Sequence, residues 1–186
     1  MVKFMKKKYK FQYRPEIDGL RALAIIPVIL FHLNESYFKG GFVGVDIFFV
    51  ISGYLITSII ILDLKNKTFN LINFYERRVR RIIPALFFVI ILTAPIFFLY
   101  MSSGVLWDYF QSLIATVFFV SNFLFTLENN YFDISSNYKP FIHTWSLAIE
   151  EQYYLFIPLI TYLFWRYKLR FFFSFIILLW VVSFSI

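Results

Sequence analysis

The chain has 186 residues, 60% of them hydrophobic and 24% aromatic, and a formal net charge of +7. A soluble domain is about 45–50% apolar, so an ordinary water-soluble globule is excluded, and the recurring apolar runs of about 20 residues between short polar turns predict a polytopic α-helical membrane protein. The absence of cysteine excludes disulfides, thiolate-bound zinc and a thiol nucleophile.

The chain opens with a basic stretch, residues 1–18, that includes Lys3, Lys6, Lys7, Lys8, Lys10 and Arg14. Residues 19–186 are then expected to form one membrane domain. The basic charge beside apolar helices reads as positive-inside topology and contact with membrane lipid, so no nucleic-acid partner is expected. Arg21 interrupts the first apolar run, and LNESYFKGG offers no small-residue cleavage site. An uncleaved first helix with a cytoplasmic N-terminus is therefore expected, with Pro15 and Asp18 marking its start and Asp18 as N-cap.

That helix, GLRALAIIPVILFHLNES over residues 19–36, carries Arg21 near one end and His32 near the other. Eleven residues turn a helix through about 1100°, so both side chains point nearly the same way, about 16 Å apart along the axis. Two readings are open: side chains snorkelling to the two interfaces, or the two ends of one buried polar path.

KGGFVG reads as a tight turn before a second helix over residues 42–62. Asp46, about one turn inside it, is expected at a depth similar to His32, where a carboxylate would orient the imidazole; the alternative is a carboxylate favoured by the helix N-terminus. Ser52 and Gly53 interrupt the apolar surface and suggest close helix packing.

The next connection, DLKNKTFNLINFYERRVRRIIP, holds Arg77, Arg78, Arg80 and Arg81. On a helix Arg77 shares a face with Arg80 or Arg81, and Arg78 with Arg81. The cluster reads either as a topology and lipid-headgroup element or as a phosphate clamp, since the guanidinium fork suits phosphate oxygens. A third helix is expected over residues 82–100, kinked at Pro95. Residues 105–127 are long enough to span but carry Asp108, Gln111, Ser112, Ser121 and Asn122. If they span, the basic WRYKLR turn after the following helix (residues 143–165) lies outside, against the charge rule. A re-entrant segment returns that turn inside, and the charge pattern favours it slightly.

In KPFIHTWSLAIEEQYYL, His143 and Glu150 lie about 20° apart on a helix, and Ser146, Glu150 and Tyr154 share a face. Glu150 and Glu151, adjacent at membrane depth, are not both expected to be charged without partners. A serine-nucleophile reading of Ser146 is disfavoured, because there is no nucleophile elbow and no oxyanion loop.

Taken together, YRPEIDGLRALAIIPVILFHL, GGFVGVDIFFVISGYLIT, FYERRVRRIIPAL and HTWSLAIEEQYYLFIPL resemble four ordered blocks of the acyltransferase-3 family of membrane O-acyltransferases, spread over residues 13–159. The resemblance carries Arg21 and His32 in the first block, Asp46 in the second, the arginine-rich RxxR element in the third (met twice, by Arg77 with Arg80 and by Arg78 with Arg81) and Glu150 with Glu151 in the fourth. It implies an all-α transmembrane bundle of five to six apolar segments, about half of a ten-helix domain. It also implies transfer of an acyl group, usually acetyl, from acyl-CoA to a hydroxyl of a cell-surface glycan in the bacterial cytoplasmic membrane. Some members carry an added SGNH-type domain. Because the chain stops in its sixth apolar run, a fragment, a truncated gene or a partner supplying the rest are all open.

On this resemblance, Arg21, Arg77, Arg78, Arg80 and Arg81 are expected to receive acyl-CoA as donor substrate. His32 is expected to serve as general base or transient acyl carrier, with Asp46, Glu150 and His143 in the catalytic group. Glu151, Ser52 and Gly53 are expected to tune and pack. No bound cofactor or metal is expected. Two competing readings of the same polar residues are a proton-coupled transporter or flippase fragment and an inactive truncated product.

Overall fold

The computed structural model describes residues 14–33, 36–128, 141–167, 174–178 and 181. The basic leader before Arg14, the loop 129–140 and the basic residues 168–170 fall outside them. Among the described residues every regular element is helical: α1 (Pro15–His32), α2 (Gly44–Asn66), α3 (Leu71–Tyr100), α4 (Ser103–Val117), α5 (Ser121–Leu127) and α6 (Thr144–Tyr167), with two single 3₁₀ turns, Ser36–Phe38 and Gly41–Val43, between α1 and α2. The expected all-α class is observed. By length and composition, α2 and α3 are apolar enough to cross a membrane.

Helix α1 begins earlier than its acidic residue suggested. Pro15 occupies the first turn, where its missing N–H costs nothing, and Arg14 holds the N-cap position without a side-chain capping bond. Asp18 is therefore not the N-cap; with Glu16 it lies in the first turn, where the helix dipole favours both carboxylates. Arg14 Nε donates to Glu16 Oε1 at 2.6 Å, and this pairing lowers the carboxyl below its usual range.

Helix α2 ends in a Schellman motif. Thr68 N–H donates to the Asp63 carbonyl at 2.9 Å and Lys67 N–H to the Leu64 carbonyl at 3.1 Å, with Lys67 left-handed at φ 58°. Helix α3 then starts at Leu71 rather than near residue 82, because Asn70 caps it: its side-chain oxygen accepts from Asn73 N–H at 3.1 Å. The arginine cluster is consequently part of one 30-residue helix that runs through Pro84 and Pro95.

The chain divides into two compact units, Met1–Phe69 with Tyr154–Ile186, and Asn70–Tyr153. In the first, Ile56, Ile60 and Leu64 extend a buried i, i+4 stripe along α2 from Ser52, and Ala24, Ile157 and Thr161 are buried with them. Phe69, just past α2, stacks on Tyr162 with ring centroids 6.2 Å apart, so the C-terminal end of α6 lies beside the end of α2.

In the second unit Tyr109 is almost fully buried, stacked on Phe97 at 4.6 Å and tilted against Phe141 at 5.4 Å. Residues 105–127 do not form one helix. They break at Phe118–Val120, where Phe119 is left-handed at φ 55°, into pieces of 15 and 7 residues. Fifteen residues span about 22 Å, short of a hydrocarbon core of about 30 Å.

Candidate functional site

In the first unit the site is built on the α1–α2 seam, whose closeness rests on two glycines. A Cβ on Gly44 would overlap the Ala24 carbonyl oxygen and lie 2.8 Å from Val28 Cγ2; one on Gly41 would overlap the Pro27 carbonyl and lie 2.9 Å from Phe31 Cβ. Further along, the Arg21 guanidinium lies over the Phe48 ring at 5.0 Å, and Arg14 Nη1 donates to Tyr54 OH at 3.2 Å. These contacts run antiparallel in a steady register that sets Asp46 level with Ala22.

That register corrects the expected depth of Asp46. The carboxylate lies ten residues down the seam from His32, about 15 Å along the axis. The cause is the segment before α2: Gly41 packs back onto Pro27, so the chain doubles along the last turns of α1 before the second helix begins. Asp46 is also two residues from Gly44, about 200° around the helix, and so points away from α1. It is exposed and forms no hydrogen bond or ion pair among the described residues.

His32 is oriented by backbone instead. Its Nδ1 lies 2.8 Å from the Val28 carbonyl oxygen, and a carbonyl only accepts, so Nδ1 carries the proton. In the neutral ring Nε2 is then the basic nitrogen. The ring also sits edge-on to Phe31 at 5.2 Å. Arg21 Nε and Ser52 Oγ are buried and find no hydrogen-bond partner among the described residues. Ser52 belongs to the buried stripe of α2, and Gly53 lies beside it.

In the second unit the four arginines differ in their surroundings. Arg80 is held by Glu76 one turn earlier, with Nε and Nη2 both 2.9 Å from Oε1. Arg78 is partly buried, with its guanidinium 5.8 Å from the Phe74 ring centre. Arg78 and Arg81 lie three residues apart on one face of α3. Arg77 is exposed on another face of α3.

Glu151 Oε1 is buried without a hydrogen-bond partner among the described residues. Ser146 Oγ donates to the His143 carbonyl at 3.2 Å, which engages the hydroxyl locally. His143 precedes α6 and is exposed.

A polar cluster of α6 was not singled out from the sequence. Thr144 Oγ1 lies 2.8 Å from Thr116 Oγ1 and donates to the Phe141 carbonyl at 2.7 Å, with Ser121 Oγ at 3.1 Å. Gln152 Nε2 donates to the Phe119 carbonyl at 2.8 Å and to Asn122 Oδ1 at 2.9 Å, and Asn122 Nδ2 returns a bond to Gln152 Oε1 at 3.4 Å. The available signal was Ser121 and Asn122 inside an otherwise apolar run.

Against known proteins, the family model described as an acyltransferase domain matches residues 14–186. The chain is 48% identical over 162 residues to the peptidoglycan O-acetyltransferase OatA of Listeria monocytogenes, covering 85% of this chain and 26% of that protein. It is 44% identical over 171 residues to the O-acetyltransferase OatA of Staphylococcus aureus strain NCTC 8325, covering 90% and 28%. It is 41% identical over 156 residues to a putative O-acetyltransferase, SAS0844, of Staphylococcus aureus strain MSSA476, covering 83% and 26%. The chain thus spans about a quarter of the length of these relatives. No solved structure matches it. A match over residues 14–186 makes this chain a member of the acyltransferase-3 family.

Proposed function

We propose that this chain supplies the N-terminal membrane helices of an O-acetyltransferase that moves an acetyl group from cytoplasmic acyl-CoA to a hydroxyl of a cell-wall glycan, with peptidoglycan the leading acceptor. The acceptor class rests on the printed name of the Listeria relative. The donor rests on chemistry: CoA is polyanionic, and Arg78 and Arg81 present two guanidiniums from one face of α3. An inner-membrane location with a cytoplasmic N-terminus follows from the basic leader.

The observation that carries the reading is the state of His32. With Nδ1 bonded to the Val28 carbonyl, Nε2 is the acceptor of a proton. In the step proposed, Nε2 removes the proton of the acceptor hydroxyl as its oxygen attacks the acetyl carbonyl. The new O–C ester bond forms, the C–S bond of the thioester breaks, and the proton passes to the departing CoA thiolate.

His32→Ala in membranes that carry the whole acyltransferase tests this. Acetyl-CoA consumption and base-labile acetate on the glycan should both fall to background while the protein still inserts. Undiminished acetate on the glycan would sink the reading. Acetate transfer tied to acetyl-CoA use separates the enzyme from a proton-coupled transporter.

A further inference from the structure

The register of α1 on α2 leaves the two helices staggered. Ala24 meets Gly44, Arg21 lies over Phe48 at 5.0 Å and Arg14 bonds Tyr54, so the first turn of α1 stands level with the middle of α2. Asp46 and Asp63 bound the uncharged, apolar part of α2, and Tyr54 is midway between them, about 12–13 Å along the axis from either. Beyond Tyr54, α2 runs on to Asn66 for about 18 Å, past the point where α1 begins.

The charged start of α1 therefore falls inside the apolar band of its neighbour. Arg14, Asp18 and Arg21 share a face, and helical side chains lean toward the N-terminus, here toward the end where α1 leaves α2 uncovered. A snorkelling Arg14 would stretch to the membrane surface. Instead its Nη1 is bound to Tyr54 OH at 3.2 Å and its Nε to Glu16 Oε1 at 2.6 Å, and the ion pair is half-exposed at that level. Ser52, level with Glu16, is 4% exposed, and its Oγ has no hydrogen-bond partner among the described residues; nor has the buried Arg21 Nε. Buried polar atoms without a protein partner are the kind that ordered water satisfies. Charges at mid-membrane depth face protein or water, because hydrocarbon cannot solvate them.

We propose that the first turns of α1 form the floor of a water-filled recess that enters the membrane from the cytoplasmic side, along the second half of α2, and reaches at least the level of Tyr54. The Arg14–Glu16 pair and Asp18 are solvated there. Cytoplasmic water then stands about halfway through a hydrocarbon core of about 30 Å. The cytoplasmic opening rests on the topology proposed above, whereas the depth rests on the register of the two helices.

The chain has no cysteine, so a single introduced thiol reports its own surroundings. Asp18 and Leu20 lie two residues apart, about 200° around α1, and so sample opposite faces at nearly one depth. Both are exposed. In vesicles that carry the whole protein, Asp18→Cys should react with a charged, membrane-impermeant thiosulfonate about tenfold faster from the cytoplasmic face than from the other. A bimane on Leu20→Cys should be quenched more by lipids brominated near the ends of their acyl chains than by lipids brominated near the headgroup. Pro15→Cys, exposed in the same first turn, replaces Asp18→Cys if that variant does not accumulate. A thiol unreactive from both faces would overturn the recess. Stronger quenching by the shallow bromines would overturn its depth. Reaction from the opposite face alone would overturn the cytoplasmic opening and the topology it rests on, while leaving the depth standing.

Discussion

Gly44→Ala is the sharpest perturbation of the α1–α2 seam. Gly44 has ordinary helical backbone angles, φ −57° and ψ −27°, so the substitution brings no conformational strain of its own and should gain a little helix propensity. What it meets is backbone. The new methyl would overlap the Ala24 carbonyl oxygen, lie 2.8 Å from Val28 Cγ2 and 3.2 Å from the Ala24 carbonyl carbon. Val28 can rotate, but a helix carbonyl cannot, so α1 and α2 must separate by roughly the overlap. Overpacking of this kind costs about 1–3 kcal/mol, and Gly→Ala in a helix returns about 0.5–1 kcal/mol, leaving a net loss on the order of 1–2 kcal/mol. The separation also lengthens the Arg21–Phe48 contact one turn away. Thermal unfolding in detergent, followed by tryptophan fluorescence, measures the loss. Gly19→Ala is the control, since nothing lies within 4 Å of a Cβ there, and it should hold or raise stability. Equal stability of Gly44→Ala and wild type, with Gly19→Ala unchanged, would refute the close approach of the two helices.

Three further outcomes follow from particular contacts. Arg78→Ala or Arg81→Ala should weaken donor binding about tenfold each, as expected for loss of a charge-assisted bond, whereas Arg80→Ala, whose guanidinium is held by Glu76, should do so less; a donor titration on each variant compares them. Lys67→Gly should raise stability by about 0.5–1 kcal/mol, because the left-handed C′ position penalises any residue with a Cβ, and denaturant or thermal melting checks it. Glu16, held low by Arg14, has a folded pKa below its unfolded value. Its pairing is therefore present above the ordinary carboxylate range and is lost as pH falls through the lowered value; a carbonyl titration by NMR in micelles should give a midpoint below that of a free glutamate, and Arg14→Gln should bring it back up.

The helical class was legible in the chain itself. Apolar runs with few charges dictate helices, because an unpaired backbone cannot be left in hydrocarbon, and the 3.6-residue period alone places Arg21 and His32 on one face. The same period allowed both RxxR pairings, so it could not choose Arg78 with Arg81. What distinguishes the arginines is their surroundings: Glu76 holds Arg80, and the Arg78 guanidinium lies 5.8 Å from the Phe74 ring centre. Local pattern also misled where the chain packs against itself. Asp46 looks level with His32 if the turn before α2 is short and straight. In fact the 3₁₀ turns fold back until Gly41 meets Pro27, and the register shifts by about 15 Å. The orienter of His32 is a backbone carbonyl, which every residue has and no sequence can advertise. Likewise, the break in residues 105–127 needs Phe119 in a conformation its own side chain disfavours, and it is held by Gln152 from 33 residues away. Helix class and facing are set by neighbours along the chain, whereas register, tautomer and partner are set by groups distant in sequence, and only the packed structure brings those together.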